Sequence, residues 1–81
     1  MSDKELLIKT LNENNFDEII FEYKSVRYYL SGWYLLEYEI EGKEMSFEYE
    51  TIDELLNAND LHDNTNIKNA DIKVLSVVLN P

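Results

Sequence analysis

At 81 residues the chain is long enough for one small domain, covering residues 1–81, and too short for two separate cores. Its 17 acidic residues against 7 Lys and Arg give a formal net charge of −10. That charge disfavours direct binding to nucleic acid or to anionic lipid, because both bind cation-rich surfaces. The absence of cysteine excludes disulfides, thiolate metal sites and a cysteine nucleophile.

The N-terminus and the hydropathy pattern indicate where the protein works. Met1–Glu5 has neither the basic region nor the apolar run of a signal peptide, and no stretch approaches the roughly 18 apolar residues of a membrane span. We therefore expect a soluble cytoplasmic protein without a membrane partner. The bias toward Asn, Lys, Ile and Tyr suits an AT-rich genome and favours a bacterial or phage origin.

The first predicted element is a helix of about three turns. Ser2 at the N-cap and Glu5 three residues later form a capping-box pattern. Leu7 and Leu11 lie on one helical face and predict packing against a sheet. Residues 12–15, which are rich in Asn, supply the end of the helix because Asn tolerates the left-handed conformation there.

Residues 18–49 predict a meander of four antiparallel strands. Large apolar residues alternate with polar ones, so each strand presents one apolar face and one polar face. A two-residue turn at Lys24-Ser25 pairs Phe21 with Tyr28 and keeps the apolar residues of the first two strands together. The second connection is predicted to be a three-residue loop.

That three-residue loop, Ser31–Trp33, pairs Tyr28 with Leu36. A two-residue loop would turn Glu37 and Glu39 into the core, where an unpaired charge is costly. The sequence therefore predicts that both carboxylates remain in water.

Gly42-Lys43 predicts a type II′ hairpin with Gly first, which pairs Tyr38 with Phe47. All four strands then share one apolar face, which we interpret as the core. Its residues are Ile19, Phe21, Tyr23, Val26, Tyr28, Leu30, Tyr34, Leu36, Tyr38, Ile40, Met45, Phe47 and Tyr49.

The C-terminal part predicts a short helix, a polar loop and a last strand. Thr51–Glu54 is a second capping box. Residues 57–69 are polar and rich in turn formers, with Leu61 and Ile67 as anchors. The β-branched run at 72–79 predicts a strand beside the first one. The fold class is therefore α+β, with element order α-β-β-β-β-α-β.

The polar face of the meander carries a high density of carboxylates. In the predicted register Glu37 lies opposite Glu48, and Glu39 and Glu50 flank this pair diagonally. Opposed like charges destabilise a sheet by a few tenths of a kcal/mol to about 1 kcal/mol each. Two interpretations stay open: a solvated face whose charges prevent aggregation, or a surface matched to a basic partner.

Apolar side chains on or beside the same face point to a protein partner. Large rings are favoured anchors of protein interfaces, and an apolar patch rimmed by carboxylates suits a basic protein. Ordinary scatter of surface residues is the alternative. The candidate partner-binding residues are Glu37, Glu39, Glu48, Glu50, Tyr29, Trp33 and Leu35.

Catalytic and metal sites find little support in the sequence. Paired carboxylates can hydrolyse glycosides, but a flat exposed face neither raises a pKa nor encloses a substrate. Asp60–Asn66, which contains the only histidine, His62, has oxygen ligands at alternate positions but lacks the glycine of a calcium loop. We interpret it as a loop whose side chains cap its own backbone. We expect no catalytic residue, no metal and no cofactor.

The sequence thus predicts a small non-enzymatic interaction domain whose acidic sheet face binds a basic protein. The alternative is an acidic inhibitor or DNA mimic, from a phage or mobile element, that blocks a nucleic-acid-binding protein. A mimic should show phosphate-like charge spacing across the molecule, whereas an interaction face should centre on aromatic residues. Whether the chain forms a homodimer stays open.

Overall fold

In a computed structural model, which describes residues 1–80, the chain forms two helices and one five-stranded sheet. The predicted α+β class and element order are confirmed. The elements are α1 (Asp3–Glu13), β1 (Phe16–Tyr23), β2 (Val26–Ser31), β3 (Leu35–Ile40), β4 (Lys43–Glu48), α2 (Ile52–Asn57) and β5 (Lys73–Leu79).

Both helices begin at the predicted caps. Ser2 Oγ accepts a hydrogen bond from the backbone N–H of Glu5 at 3.1 Å, and Thr51 Oγ1 accepts one from Glu54 at 3.1 Å. These side chains satisfy backbone donors that the first turn leaves unpaired. Asn14, with a φ of 51°, ends α1 in the left-handed conformation.

All strands of the sheet are antiparallel, in the spatial order β4-β3-β2-β1-β5, so the last strand lies beside the first as predicted. The core lies on one side, which we call the inner face. Its buried residues come from β1, β2 and β3, from α1 and α2, and from the segment between α2 and β5. An antiparallel sheet can leave its other side in water, and the opposite face here carries mostly exposed side chains.

The first hairpin has the predicted register. Phe21 pairs with Tyr28, and their rings stack with centroids 5.0 Å apart. The two turn residues, Lys24 and Ser25, both have positive φ (48° and 68°). This is the primed geometry that matches the twist of the flanking strands.

The predicted register between β2 and β3 is wrong by two residues. Tyr28 pairs with Tyr38 instead of Leu36, because the three-residue connection is Gly32–Tyr34 and not Ser31–Trp33. Tyr34 adopts a φ of 57°, and its N–H donates to the carbonyl of Ser31 at 3.1 Å. β3 therefore begins at Leu35, one residue later than predicted.

The hairpin between β3 and β4 is also displaced by two residues. Tyr38 pairs with Met45 and not with Phe47. The turn residues are Glu41 and Gly42, with φ of 51° and 77°, so the turn is type I′ with Gly second and not type II′ with Gly first. A shift of two residues keeps every side chain on its predicted face, because the strand period is two.

Candidate functional site

The uncovered side of the sheet carries alternate residues of all five strands, and we call it the acidic face. Its middle row runs Ser46–Glu37–Tyr29–Ile20–Ser76 by strand pairing. The rows on either side add further carboxylates. The acidic face comprises Glu18, Ile20, Glu22, Arg27, Tyr29, Leu35, Glu37, Glu39, Glu44, Ser46, Glu48, Lys73, Ser76 and Val78.

The true register changes which carboxylates meet. Glu37 lies opposite Ser46, so the predicted Glu37–Glu48 pair does not form. The directly opposed like charges are those of Glu39 and Glu44. One such pair destabilises a sheet by a few tenths of a kcal/mol to about 1 kcal/mol, less than the predicted cluster would have done.

A shallow, open groove of about 380 Å³ lies on the acidic face. It brings together three of the predicted partner-binding residues: Tyr29, Glu37 and Glu39. Tyr29 is 38% exposed, which leaves much of its ring free to contact a partner. The lining residues are Glu18, Tyr29, Glu37, Tyr38, Glu39, Glu44, Met45 and Ser46.

The other four predicted residues lie away from the groove. Glu48 and Leu35 are paired on neighbouring strands. Trp33 is 86% exposed in the turn before β3. Glu50 lies beyond the end of β4, and its backbone N–H donates to the Glu54 carboxylate at 3.2 Å. Tyr29, Glu37 and Glu39 are therefore the predicted residues that share one concave surface.

Sequence reasoning missed two carboxylates of the groove, Glu18 and Glu44. Both are on the polar face by strand alternation, which was the available signal. The register that places Glu18 near Tyr29 was predicted correctly, whereas the predicted register between β3 and β4 was displaced and did not place Glu44 opposite Glu39. The groove therefore has four carboxylates, those of Glu18, Glu37, Glu39 and Glu44.

The carboxylates of the acidic face lack ion-pair partners within residues 1–80. The one salt bridge in this part of the chain joins Lys24 Nζ to Asp63 Oδ2 at 2.9 Å, in the first turn and the long loop. Arg27 and Lys73 are both paired with Glu22 in the sheet, yet neither forms a salt bridge with it. The carboxylates of the face are thus not engaged in direct ion pairs within residues 1–80.

The inner face contains a second polar cluster, in which tyrosine hydroxyls hold the loop that follows α2. Tyr38 donates to the carbonyl of Asp60 at 2.8 Å, and Tyr49 donates to the Asp60 carboxylate at 2.6 Å. The Tyr28 hydroxyl accepts the backbone N–H of His62 at 2.9 Å and also contacts His62 Nδ1. Burial raises the pKa of Tyr28 to about 12, so its hydroxyl stays protonated at neutral pH.

Asp63 completes this attachment at the edge of the loop. It accepts hydrogen bonds from Tyr23 and Lys24, both at 2.9 Å, and from the backbone N–H of Thr65 at 3.1 Å. The hydrogen bond from Lys24 holds the pKa of Asp63 well below its usual range, with smaller contributions from Thr65 and Tyr23. The prediction that this loop caps its own backbone is confirmed by the Thr65–Asp63 contact.

The cluster consists of structural contacts, since its tyrosines reach backbone groups and carboxylates of one loop.

Within residues 1–80 no group of three or more His, Asp or Glu side chains is placed to hold a metal ion. No helix in the same part of the chain has the length and apolar character to cross a membrane. Comparisons with protein-family models, curated proteins and solved structures gave no significant match.

Proposed function

We propose that this chain is a small non-enzymatic cytoplasmic domain that binds a basic protein through its acidic face. The observation that carries the proposal is an uncovered groove that is lined by four carboxylates and by the partly exposed ring of Tyr29. These carboxylates form no salt bridge within residues 1–80. A cationic partner would therefore find both charge and apolar surface at one place.

Each part of the groove has a physical role in such binding. Unneutralised carboxylates steer a basic partner and raise its association rate at low salt. The ring of Tyr29 offers its face to a Lys or Arg side chain, which an aromatic quadrupole attracts. Ile20, paired with Tyr29 in the middle row, adds apolar surface beside the ring. The site suits a lysine- or arginine-containing surface on another protein.

Protection of sheet edges accounts for Glu44 on the outer strand β4, but not for the other three carboxylates of the groove. Charged residues discourage aggregation when they lie on the outermost strands. Glu37 lies on β3 and Tyr29 on β2, and each of these strands has a neighbour on both sides. A carboxylate there offers no edge protection, which favours the binding interpretation for the middle row.

The charge pattern favours a protein-binding face over a DNA mimic. A phosphate mimic needs negative charge repeated without interruption along its surface. Here Arg27 and Lys73 interrupt the acidic row that includes Glu22. Tyr29 and Ile20 occupy the centre, where a mimic would need further carboxylates. The aromatic centre with an acidic rim is typical of a protein interface.

Neutralising the groove is expected to weaken binding of a basic ligand. The triple substitution Glu37→Gln, Glu39→Gln and Glu44→Gln removes three negative charges and keeps side-chain size. We expect the association rate with a lysine-rich peptide to fall about tenfold at low salt and the difference to shrink as salt rises. Fold stability should stay equal or rise slightly, because Glu39 and Glu44 no longer repel each other.

A matched control separates the groove from the net charge of the protein. The control variant also loses three negative charges, but at exposed positions outside the sheet, through Glu5→Gln, Glu13→Gln and Asp71→Asn. We expect this variant to bind the peptide nearly as fast as the unmodified protein. Equal losses in both triple variants at every salt concentration would contradict the proposal, because binding would then follow total charge alone.

A further inference from the structure

The two outer strands of the sheet differ in the number of charged residues that they carry. β4 carries Lys43, Glu44 and Glu48, which are charges of the kind that keep foreign strands away. β5 has no acidic residue, and its single charge is Lys73 at the start. It is thus an edge strand without carboxylates in a chain with a net charge of −10.

Strand pairing shows which backbone groups of β5 face outward. The N–H of Gly32 donates to the carbonyl of Asp17 at 3.1 Å, which places Asp17 in the ladder with β2. Because hydrogen bonds alternate along an antiparallel strand, Glu18 and Ile20 face β5 instead. Their partners on β5 are Val78 and Ser76. The backbone N–H and C=O groups of the residues between and after these partners must therefore point away from β1.

Val77 and Leu79 are the residues whose backbone groups face outward. The neighbouring Asn80 donates its N–H to the carbonyl of Asn15 at 2.7 Å, which agrees with this alternation. At the start of the edge, the carboxylate of Asp3 accepts the N–H of Val74 at 2.9 Å. Within residues 1–80 no such side chain caps the N–H of Val77 or Leu79. The free part of the edge is therefore residues 75–79.

The side chains of this segment are unusually exposed for apolar residues. Leu75 is 39% exposed, Val78 45% and Leu79 59%. An edge with free backbone groups and exposed apolar side chains is a template for another strand. The register shifts between Ile20 and Phe21, which leaves Leu75 as the extra residue of a β-bulge, so Leu75 marks the end of the segment that can pair with another strand.

We propose that the edge formed by residues 75–79 pairs with the same edge of a second copy of this chain. A two-fold axis through Val77 places that residue opposite itself, and both of its outward groups then find a partner. Leu79 reaches the bulged Leu75 of the second copy in this register, and the paired segment ends there. The two sheets join into one continuous sheet, with both acidic faces on the same side.

Within the sheet, charge opposes the approach of a second copy least at this edge. Two molecules with a charge of −10 repel each other, and the acidic face and β4 would bring carboxylates together. β5 allows approach because its edge segment is uncharged. This inference does not rest on the proposed function, since none of the groove residues takes part in the pairing.

Analytical ultracentrifugation over a range of protein concentrations tests the pairing. We expect a concentration-dependent dimer for the unmodified chain. Leu79→Lys should raise the dissociation constant at least about tenfold, because an edge lysine keeps a partner strand away. Ser46→Lys adds the same charge on an exposed position of β4 and should leave the dimer intact. A monomer at all concentrations, or equal weakening by both substitutions, would overturn the proposal.

Amide hydrogen exchange identifies the interface directly. The N–H groups of Val77 and Leu79 should exchange quickly in dilute protein and become protected as concentration rises. A dimer in which these two amides stay unprotected would place the interface elsewhere and refute the edge pairing. Protection that appears only when a different protein is added would assign the edge to a foreign strand and equally refute it.

Discussion

Replacing Tyr28 by Phe is expected to lower the free energy of unfolding by about 1–3 kcal/mol. The change removes one hydroxyl from a fully buried ring and leaves the backbone N–H of His62 without its acceptor. A buried donor that loses its partner costs about this amount. Urea denaturation followed by circular dichroism measures the change, and the melting temperature should fall by about 4–8 °C per kcal/mol.

The neighbouring tyrosine supplies the control for this experiment. Tyr29→Phe removes the same atom from a residue that is 38% exposed on the acidic face. Its effect should stay within about 0.5 kcal/mol, as for most surface substitutions. Equal effects of Tyr28→Phe and Tyr29→Phe would show that the hydroxyl of Tyr28 does not hold the loop.

Truncating Leu61 to Ala is expected to destabilise the fold by about 2–5 kcal/mol. Leu61 is 3% exposed and belongs to the same buried cluster as the sheet residues Tyr28 and Tyr38. Large-to-small substitutions in a core lose transfer free energy and leave a cavity. In a domain of this size that is a large part of the total stability, which scales to roughly 4–12 kcal/mol.

This second prediction tests whether the segment between α2 and β5 completes the core. Val78→Ala, at a site 45% exposed on β5, is the comparison and should change stability by about 0.5 kcal/mol or less. The unfolding midpoint and the slope against urea should be measured for both variants. A similarly small effect of Leu61→Ala would mean that the sheet and helices fold without this segment.

The faces of the strands were predictable from the sequence, whereas the pairing was not. Alternation fixes which side a residue occupies, and a slip of two residues leaves that side unchanged. The position of the turn fixes the register, and this turn ends at Tyr34 in the left-handed conformation, which a residue of this size rarely adopts. The predicted face was therefore correct while the predicted Glu37–Glu48 pair was wrong.

The attachment of the loop was predictable only in part. Leu61 and Ile67 are both buried, as the apolar pattern indicated. The hydrogen bonds from Tyr38 and Tyr49 to Asp60 join residues distant in sequence, which no local pattern encodes. A general signal did exist, because a buried tyrosine hydroxyl needs a partner. The five core-face tyrosines implied a polar segment across from them, and the hydroxyls of four, Tyr23, Tyr28, Tyr38 and Tyr49, contact this loop.

The most direct test of the central claim is to observe where a basic ligand contacts the protein. Titrating a lysine-rich peptide into isotopically labelled protein and following amide chemical shifts reports the contact surface. We expect the largest changes at Ile20, Tyr29 and Glu37 in the middle of the acidic face. The same titration of the triple variant, with Glu37→Gln, Glu39→Gln and Glu44→Gln, should give smaller changes. Shifts confined to α1 or to the loop that follows α2, with the middle row unchanged, would contradict the assignment of this face as the binding surface.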